Sequence, residues 1–164
     1  MTCHQVLKQI LLWLVLPALV SCQKIEAGQN VAAETVQLVK SLGLLSPDEQ
    51  LVLYYSNFKP SRAGSFFTNK RIAHYWLDER PDHNRVESAF YPDIVAITPQ
   101  FNASDFDCPY LEITNKNGTS FRAYMDGSSA EKKLFFEQAV ATWRKVRTAA
   151  KQTKQLRKAP VVSQ

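Results

Sequence analysis

The positions of apolar residues divide the 164-residue chain into three parts. The first part contains an unbroken apolar run from Ile10 to Val20. This run has the length of a secretory signal and is shorter than the roughly 20 residues that span a bilayer as a helix. In the second part, apolar residues recur at helical spacing. In the third part, apolar and polar residues alternate in short segments, and a last segment again has apolar residues at helical spacing. We therefore expect a targeting segment followed by one mature domain.

A helix is predicted over residues 30–44, after a short polar tether over residues 22–29. Asn30 can cap this helix, and Gly43 suits its end. Its apolar face would consist of Val31, Thr35, Leu38, Val39 and Leu42. Residues 46–49 (Ser-Pro-Asp-Glu) have the form of a capping box with proline at the first helical position, so we expect one tight helical turn there.

Seven short β-rich segments then precede one long helix. The predicted strands are residues 51–55, 65–68, 71–77, 85–91, 93–98, 110–114 and 120–124. Asn117 and Gly118 form a strong hairpin signal between the last two strands. A second capping box at residues 128–131 opens the final helix. Its predicted apolar face consists of Phe136, Ala139, Val140, Trp143 and Val146. Short strands followed by a helix indicate an α+β fold.

The net charge of +5 is concentrated at the carboxyl end of the chain. Seven basic residues and no acidic residue occur from Arg144 onward: Arg144, Lys145, Arg147, Lys151, Lys154, Arg157 and Lys158. We expect a disordered basic tail over residues 151–164. Near an anionic membrane each such charge would contribute about 1 kcal/mol, and a solvated helix end is the equally supported alternative. The stretch lacks interleaved aromatic residues, so no nucleic-acid partner is expected.

Leu19-Val20-Ser21-Cys22 directly follows the apolar run. This motif resembles the lipobox of bacterial lipoproteins, in which a small residue precedes the cysteine. The resemblance implies that residues 1–21 are a signal peptide, that the chain is cut before Cys22, and that the Cys22 thiol carries a diacylglyceryl group. Gln23 follows where an aspartate would favour retention at the inner membrane. The resemblance therefore favours the outer membrane facing the periplasm, with the inner membrane as the alternative.

Lipidation would leave a single free cysteine in the mature protein. Cys3 departs with the signal peptide and Cys22 is acylated, so Cys108 remains and no intramolecular disulfide can form. We expect a buried or inert thiol at Cys108 rather than a reactive one.

A second resemblance concerns the mature domain. Residues 46–53 lead into the first strand, and residues 67–75 contain Thr-Asn-Lys-Arg-Ile at the following turn. These segments resemble the bacterial pleckstrin-homology-like (PH-like) domains, and the similarity covers about residues 45–147. The resemblance implies a seven-stranded antiparallel barrel or orthogonal sandwich, which a carboxyl-terminal amphipathic helix caps. Phe136, Val140 and Trp143 would form the plug.

The predicted organisation therefore has five parts. They are a signal peptide (1–21), a tether (22–29), an additional amino-terminal helix (30–44), a PH-like domain (45–150) and a basic tail (151–164).

Four basic residues are candidate contacts for a lipid headgroup or a partner: Lys59, Arg62, Lys70 and Arg71. Eukaryotic relatives of PH-like domains bind phosphoinositide headgroups through basic residues in the loop that Lys59 and Arg62 would occupy. A solvated loop is the alternative, and for Arg71 a structural pairing with a carboxylate or with backbone carbonyls is favoured. His74 is expected to be a structural histidine within its strand.

The sequence offers no recognisable catalytic arrangement. Two groups of residues could suggest metal sites: Asp78, Glu79, Asp82 and His83, and Asp105 with Asp107. Neither group has the spacing of a calcium or zinc site, and no phosphate-binding loop or nucleophile motif is present. We therefore predict a membrane-anchored, non-enzymatic binding or scaffold module with an envelope protein or peptide as partner and no metal or cofactor. Anionic-lipid recognition by the loop and the tail is the alternative, and an enzyme is the least favoured.

Overall fold

The computed structural model describes residues 24–101 and 108–158, with side chains up to residue 153. The described elements are β1 (Ile25–Ala27), α1 (Ala33–Ser41), β2 (Leu51–Tyr55), β3 (Ala63–Thr68), β4 (Arg71–Trp76), β5 (Arg85–Phe90), β6 (Ile94–Gln100), β7 (Tyr110–Asn115), β8 (Ser120–Tyr124) and α2 (Ser129–Lys158). The predicted signal peptide, Cys22, Asp105 and Asp107 lie outside the described residues. No helix in the described ranges is both long and apolar enough to cross a membrane.

The strands form two antiparallel sheets. The larger sheet has the order β1-β2-β3-β4-β5, and the smaller sheet has the order β6-β7-β8. The α+β class, the antiparallel pairing and the closing carboxyl-terminal helix are confirmed, and all seven predicted strands are present. The strands do not close into a barrel, because β5 and β6 belong to separate sheets on either side of the turn at Tyr91–Asp93.

The central strands of the larger sheet are covered on both faces. Phe67 and Ile72 point into a core shared with the smaller sheet and α2. Their strand neighbours Phe66 and Ala73 pack in a second core, beneath Val39 of α1. Every residue of β3 is therefore buried. Double coverage explains why this strand lacks the apolar–polar alternation of a half-exposed strand.

The predicted tether is wrong for residues 25–27. These residues form β1 and pair with β2, with Ile25 opposite Tyr55. Gly28 follows in such close contact that an added Cβ would lie 1.9 Å from the Leu51 carbonyl oxygen. The sequence contains only one buried apolar residue in this edge strand, Ile25, and so shows no periodic pattern. The first strand of the fold therefore begins three residues after Cys22.

Helix α1 is shorter than the predicted span of residues 30–44. It begins after Ala32 without a side-chain cap, so the prediction of Asn30 as cap is wrong. Asn30 instead ends a short 3-10 turn. Gly43 follows the helix with φ of +72°, the left-handed conformation predicted for its end.

The predicted helical turn at residues 46–49 is a hydrogen-bonded turn rather than a helix. The Ser46 N–H donates to the Glu49 carboxylate at 3.1 Å, as in a capping box. Glu49 has a further role in the interior, because its side chain is buried.

Helix α2 begins as predicted. The Ser128 N–H donates to Oε2 of Glu131 at 2.8 Å, and the Glu131 N–H donates to Oγ of Ser128 at 3.3 Å. This reciprocal pair is the predicted capping box. The helix continues to Lys158, so the predicted disorder of the tail is wrong for residues 151–158.

The plug formed by α2 differs from the predicted set. Phe135 and Ala139 are fully buried, whereas Phe136, Val140 and Trp143 are only partly buried. Phe135 contacts Phe67 edge-to-face, with ring centroids 5.2 Å apart. Helical spacing accommodates either set, because Ala139 lies four positions after Phe135 and three positions after Phe136. The side of α2 that packs on the sheet determines that Phe135, which contacts Phe67, is the buried residue.

Candidate functional site

The four predicted contact residues do not form one cluster. Lys59 and Arg62 lie in the loop before β3, whereas Lys70 and Arg71 lie at the turn after it. Strand β3 has six residues, which separates the two pairs by about 20 Å. A single headgroup cannot contact all four residues.

Arg71 is a structural residue and not an external contact. Its Nε and Nη2 atoms donate to the two carboxylate oxygens of Glu49 at 2.9 and 2.8 Å. The guanidinium also donates to the Gly43 carbonyl oxygen and to Oγ of Ser46, and it lies 4.1 Å from the ring centre of Phe90. These contacts tie the loop after α1 to the β3–β4 turn, as the structural interpretation of Arg71 predicted.

The other three cations differ in their surroundings. Lys70 forms an exposed ion pair with Asp48. Arg62 donates to the Leu77 carbonyl oxygen at 3.2 Å, and its Nη2 atom lies 3.6 Å from Glu79. Lys59 is exposed and has no ion-pair partner among the described residues. Headgroup contacts by Lys59 and Arg62 remain a prediction.

An apolar cavity of about 230 Å³, here called the Trp76 cavity, opens beside the predicted loop. It is lined by Tyr55, Ser56, Asn57, Ala63, Gly64, Ser65, His74, Trp76, Cys108, Tyr124 and Asp126. Trp76 forms part of the rim and is 42% exposed. It stacks on Phe58, which is 54% exposed, with ring centroids 5.9 Å apart and an interplanar angle of 22°. The rim therefore presents two aromatic rings to the surroundings.

His74 lies in the wall of the Trp76 cavity as a neutral, hydrogen-bonded residue. Oγ of Ser65 donates to the Tyr124 carbonyl oxygen at 2.7 Å and lies 3.0 Å from Nδ1 of His74. Because the Ser65 proton is committed to Tyr124, Nδ1 carries the imidazole proton and donates to Ser65. Burial, together with the charge of Arg85, lowers the pKa of His74 to about 4. The prediction of a structural histidine is confirmed.

This arrangement does not activate a nucleophile. A catalytic imidazole accepts the proton of the serine hydroxyl, whereas His74 donates to Ser65. Cys108 also lines the cavity and is exposed, so the buried alternative of the predicted buried or inert thiol is wrong. With its low pKa, His74 is a weak base for that thiol as well.

Tyr55 contributes its ring to the cavity wall and a buried hydroxyl to the interior. This hydroxyl has no hydrogen-bond partner among the described residues. Burial raises the pKa of Tyr55, and the charges of Asp126 and Glu131 raise it further, so the phenol stays neutral. Asp126 accepts a hydrogen bond from the Asn57 amide at 3.2 Å. The cavity thus combines neutral, mainly apolar walls with one carboxylate, and suits an apolar group.

A polar groove lies on the other side of Trp76. It contains Asp78, Asp82 and His83 from the predicted acidic cluster. His83 lies 2.6 Å from Nη2 of Arg80, and Asp78 accepts a hydrogen bond from the Arg80 N–H. The described ranges contain no group of three or more side chains suited to holding a metal ion.

Sequence reasoning missed the aromatic pair. Phe58 is a single aromatic residue in a polar loop, and Trp76 ends a strand whose other residues are buried. Neither residue has a motif around it. A strand-end tryptophan beside a loop aromatic was the available signal, but only the β3–β4 hairpin brings the rings together.

Comparison with known proteins identifies one partial likeness. No model of a protein family matches the chain, and neither does any curated protein. A solved structure of a DUF1696 family protein with a pleckstrin-homology domain, from Shewanella loihica PV-4, is 20% identical and superimposes with a TM-score of 0.44. The alignment covers 66% of this chain and 92% of that chain. A likeness of this extent does not by itself establish a common fold.

Proposed function

We propose that this protein is a membrane-anchored, non-enzymatic binding module of the bacterial cell envelope, with a PH-like domain that recognises an envelope protein or peptide. The observation that carries the proposal is the Trp76 cavity, a mainly apolar recess with exposed Trp76 at its rim and exposed Phe58 stacked on Trp76. Exposed aromatic residues are enriched where proteins bind partners. The PH-like assignment is supported by the chain order of four antiparallel strands (β2–β5), three more (β6–β8) and a closing helix.

The anchor in this proposal is lipid on Cys22. Its support is the agreement in position between the apolar run and Leu19-Val20-Ser21-Cys22. Two or three acyl chains acting together hold a protein firmly, since each buried methylene contributes about 0.8 kcal/mol. Gln23 favours the outer membrane facing the periplasm. If Cys22→Ser is still processed to the mature size and still sediments with membranes, the anchor is refuted.

Binding is better supported than catalysis because the polar side chains of Ser65 and His74 in the cavity are already engaged in hydrogen bonds. The Ser65 proton is donated to Tyr124, and His74 has its Nδ1 proton on Ser65. An apolar side chain of a partner could enter the cavity without breaking these bonds. Burying one such side chain would contribute about 1.5–3 kcal/mol.

Cys108 allows a direct test, because it lines the cavity and would be the only free thiol of the acylated protein. A benzophenone attached to Cys108 should form one discrete adduct on illumination in envelope vesicles. That adduct should disappear in Trp76→Ala. The matched control carries the label on exposed Gln37 of α1, as Gln37→Cys in a Cys108→Ala background. An adduct that persists in Trp76→Ala, or that the control also forms, would contradict recognition at the cavity.

Recognition of an anionic lipid is the second candidate. Lys59 has no ion-pair partner in the described part of the chain, and Arg144, Lys145 and Lys151 are exposed along α2. Binding of this kind is weakened by salt. Co-sedimentation of the unacylated domain, which lacks residues 1–22, with anionic liposomes should then decrease with ionic strength and fall in a double Lys59→Ala, Arg62→Ala variant.

A further inference from the structure

Lys24 lies beside the Trp76 cavity, because it is hydrogen-bonded to one of the residues that line it. The Lys24 carbonyl oxygen accepts a hydrogen bond from the Ser56 N–H at 3.0 Å. The Lys24 N–H donates to Glu131 at the start of α2, at 3.2 Å. Ser56 is one of the residues that line the cavity. The residue two positions after Cys22 is thus held on two sides at this end of the molecule.

This attachment limits how far the domain can lie from a lipid on Cys22. Two residues of extended chain span at most about 7 Å. Ser56, which holds Lys24, also has its Oγ atom 3.2 Å from the Phe58 carbonyl oxygen and 3.4 Å from the Phe58 N–H. Phe58 is therefore close to the point where the anchored segment joins the fold. In a protein held by lipid on Cys22, the position of Lys24 would bring the Phe58–Trp76 pair next to the bilayer.

The chemistry of this surface suits the boundary between lipid and water. Phe58 and Trp76 are both exposed and stacked on each other. Tryptophan and other amphipathic rings are favoured at the level of the headgroups, where one part is apolar and another is wet. Lys59 follows Phe58 directly, and a lysine at this depth extends its ammonium group towards water while its methylenes stay in the interface.

Charge does not explain this surface. The three cations near this surface, Lys24, Lys59 and Arg62, are equalled in number by the carboxylates of Asp78, Glu79 and Asp126, although Lys59 forms no ion pair among the described residues. An anionic headgroup therefore gains little net attraction, and the contact depends on apolar burial. Contacts of that kind change little with ionic strength.

We infer that the Phe58–Trp76 pair lies in the interfacial region of the membrane that holds Cys22, with the Trp76 cavity opening along the bilayer surface. The inference rests on the lipid anchor of the proposed function and adds an orientation to it. A partner would then reach the cavity as a segment presented at the membrane surface. An anchored domain that turned freely in water would leave both rings in solvent.

Two single-tryptophan proteins test this orientation, because the mature chain contains only Trp76 and Trp143. Trp143→Phe keeps Trp76, and Trp76→Phe keeps Trp143. Trp143 lies 12 residues beyond Glu131 on α2, about 18 Å along the helix. Trp143 is partly buried against the core and its indole nitrogen lacks a hydrogen-bond partner among the described residues, so phenylalanine suits its position.

Both acylated proteins are reconstituted in neutral phosphatidylcholine vesicles whose acyl chains are brominated near the headgroup. Trp76 fluorescence should be quenched several-fold more strongly than Trp143 fluorescence, and the difference should persist at high salt. Equal or absent quenching in protein that sediments with the vesicles refutes the orientation alone. Quenching that salt abolishes also overturns it, in favour of headgroup attraction. Protein that does not sediment refutes the anchor and this inference together.

Discussion

Replacing the whole buried side chain of Glu49 with a methyl group, in Glu49→Ala, is expected to destabilise the fold by about 3–5 kcal/mol. The side chain of Glu49 is completely buried, and that of Arg71 is 7% exposed. Their two hydrogen bonds join segments that are 22 residues apart in the chain. Removing one partner leaves the other charge in the interior, where water cannot reach it fully.

The magnitude follows from the groups that lose their acceptor. Arg71 would lose both of its bonds to the carboxylate, at 2.9 and 2.8 Å. The Thr68 hydroxyl and the Ser46 N–H would each lose a bond as well. A buried donor without a partner costs about 1–3 kcal/mol, and a charged one costs more. The remaining neighbours of Arg71 are the Gly43 carbonyl oxygen, Oγ of Ser46 and the ring of Phe90, none of which carries a net negative charge.

Equilibrium urea unfolding of Glu49→Ala, Arg71→Met and the double variant measures the effect. The double variant should be more stable than Glu49→Ala, because the stranded guanidinium is gone and methionine fills part of its volume. Asp48→Ala is the matched control. Asp48 and Lys70 are the chain neighbours of Glu49 and Arg71, but their ion pair lies on the surface. The control should show no measurable change. A loss for Glu49→Ala no larger than that of the control would refute the reasoning.

The same pair predicts a dependence on pH. Burial alone would raise the pKa of Glu49, but hydrogen bonds from Arg71, Thr68 and Ser46 outweigh it and hold the pKa below the ordinary value of 4.5. The unfolded chain therefore takes up a proton at a higher pH than the folded chain. The contribution of the ionised Glu49 carboxylate to the free energy of unfolding is present above about pH 4.5 and is lost as the pH falls below that value. Glu49→Gln should flatten this loss.

Three further changes test other parts of the fold. Gly28→Ala should cost about 1–3 kcal/mol in thermal unfolding, because its Cβ would lie 1.9 Å from the Leu51 carbonyl oxygen; an unchanged midpoint would show that this contact does not constrain the edge strand. The free energy of unfolding should fall by up to about 3 kcal/mol between pH 6.5 and 4. The reason is that His74, with a pKa of about 4, stays neutral in the fold while the unfolded chain binds a proton. If the free energy of unfolding of His74→Gln changed with pH as steeply, this explanation would be wrong. Ending the chain after Arg147 should leave the thermal midpoint unchanged, because Val146 is the last described residue packed on the core; a drop of several degrees would show that the later turns contribute.

Local patterns allowed much of the secondary structure to be predicted. Strands β7 and β8 alternate buried and more exposed residues, because only one of their faces packs on the core. Gly118 between them has φ of +84°, which the Asn-Gly signal predicted. Strand β1 could not be found in this way. It has three residues and is stabilised by pairing with β2, which lies 24 or more residues further along the chain.

The candidate site shows the same limit. The sequence identified Arg71 as a structural residue but could not name Glu49 as its partner, since the two meet only when the turn after α1 packs on the β3–β4 turn. It grouped Lys59 with Lys70, which β3 holds at opposite ends. The sequence pattern predicts Trp76 only as a residue of the strand over residues 71–77. Its exposure depends on the end of the hairpin and on the neighbouring loop.

The sequence by itself determined those features that depend on neighbours within a few residues. These are the strand segments, the capping box at Ser128 and Glu131, and the glycine ends at Gly43 and Gly118. The tertiary structure decided which faces are buried. It covers β3 on both sides and makes a cavity from the ends of four strands. The physical reason is range: caps and turns satisfy hydrogen bonds locally, whereas burial and ion pairing depend on segments that folding brings together.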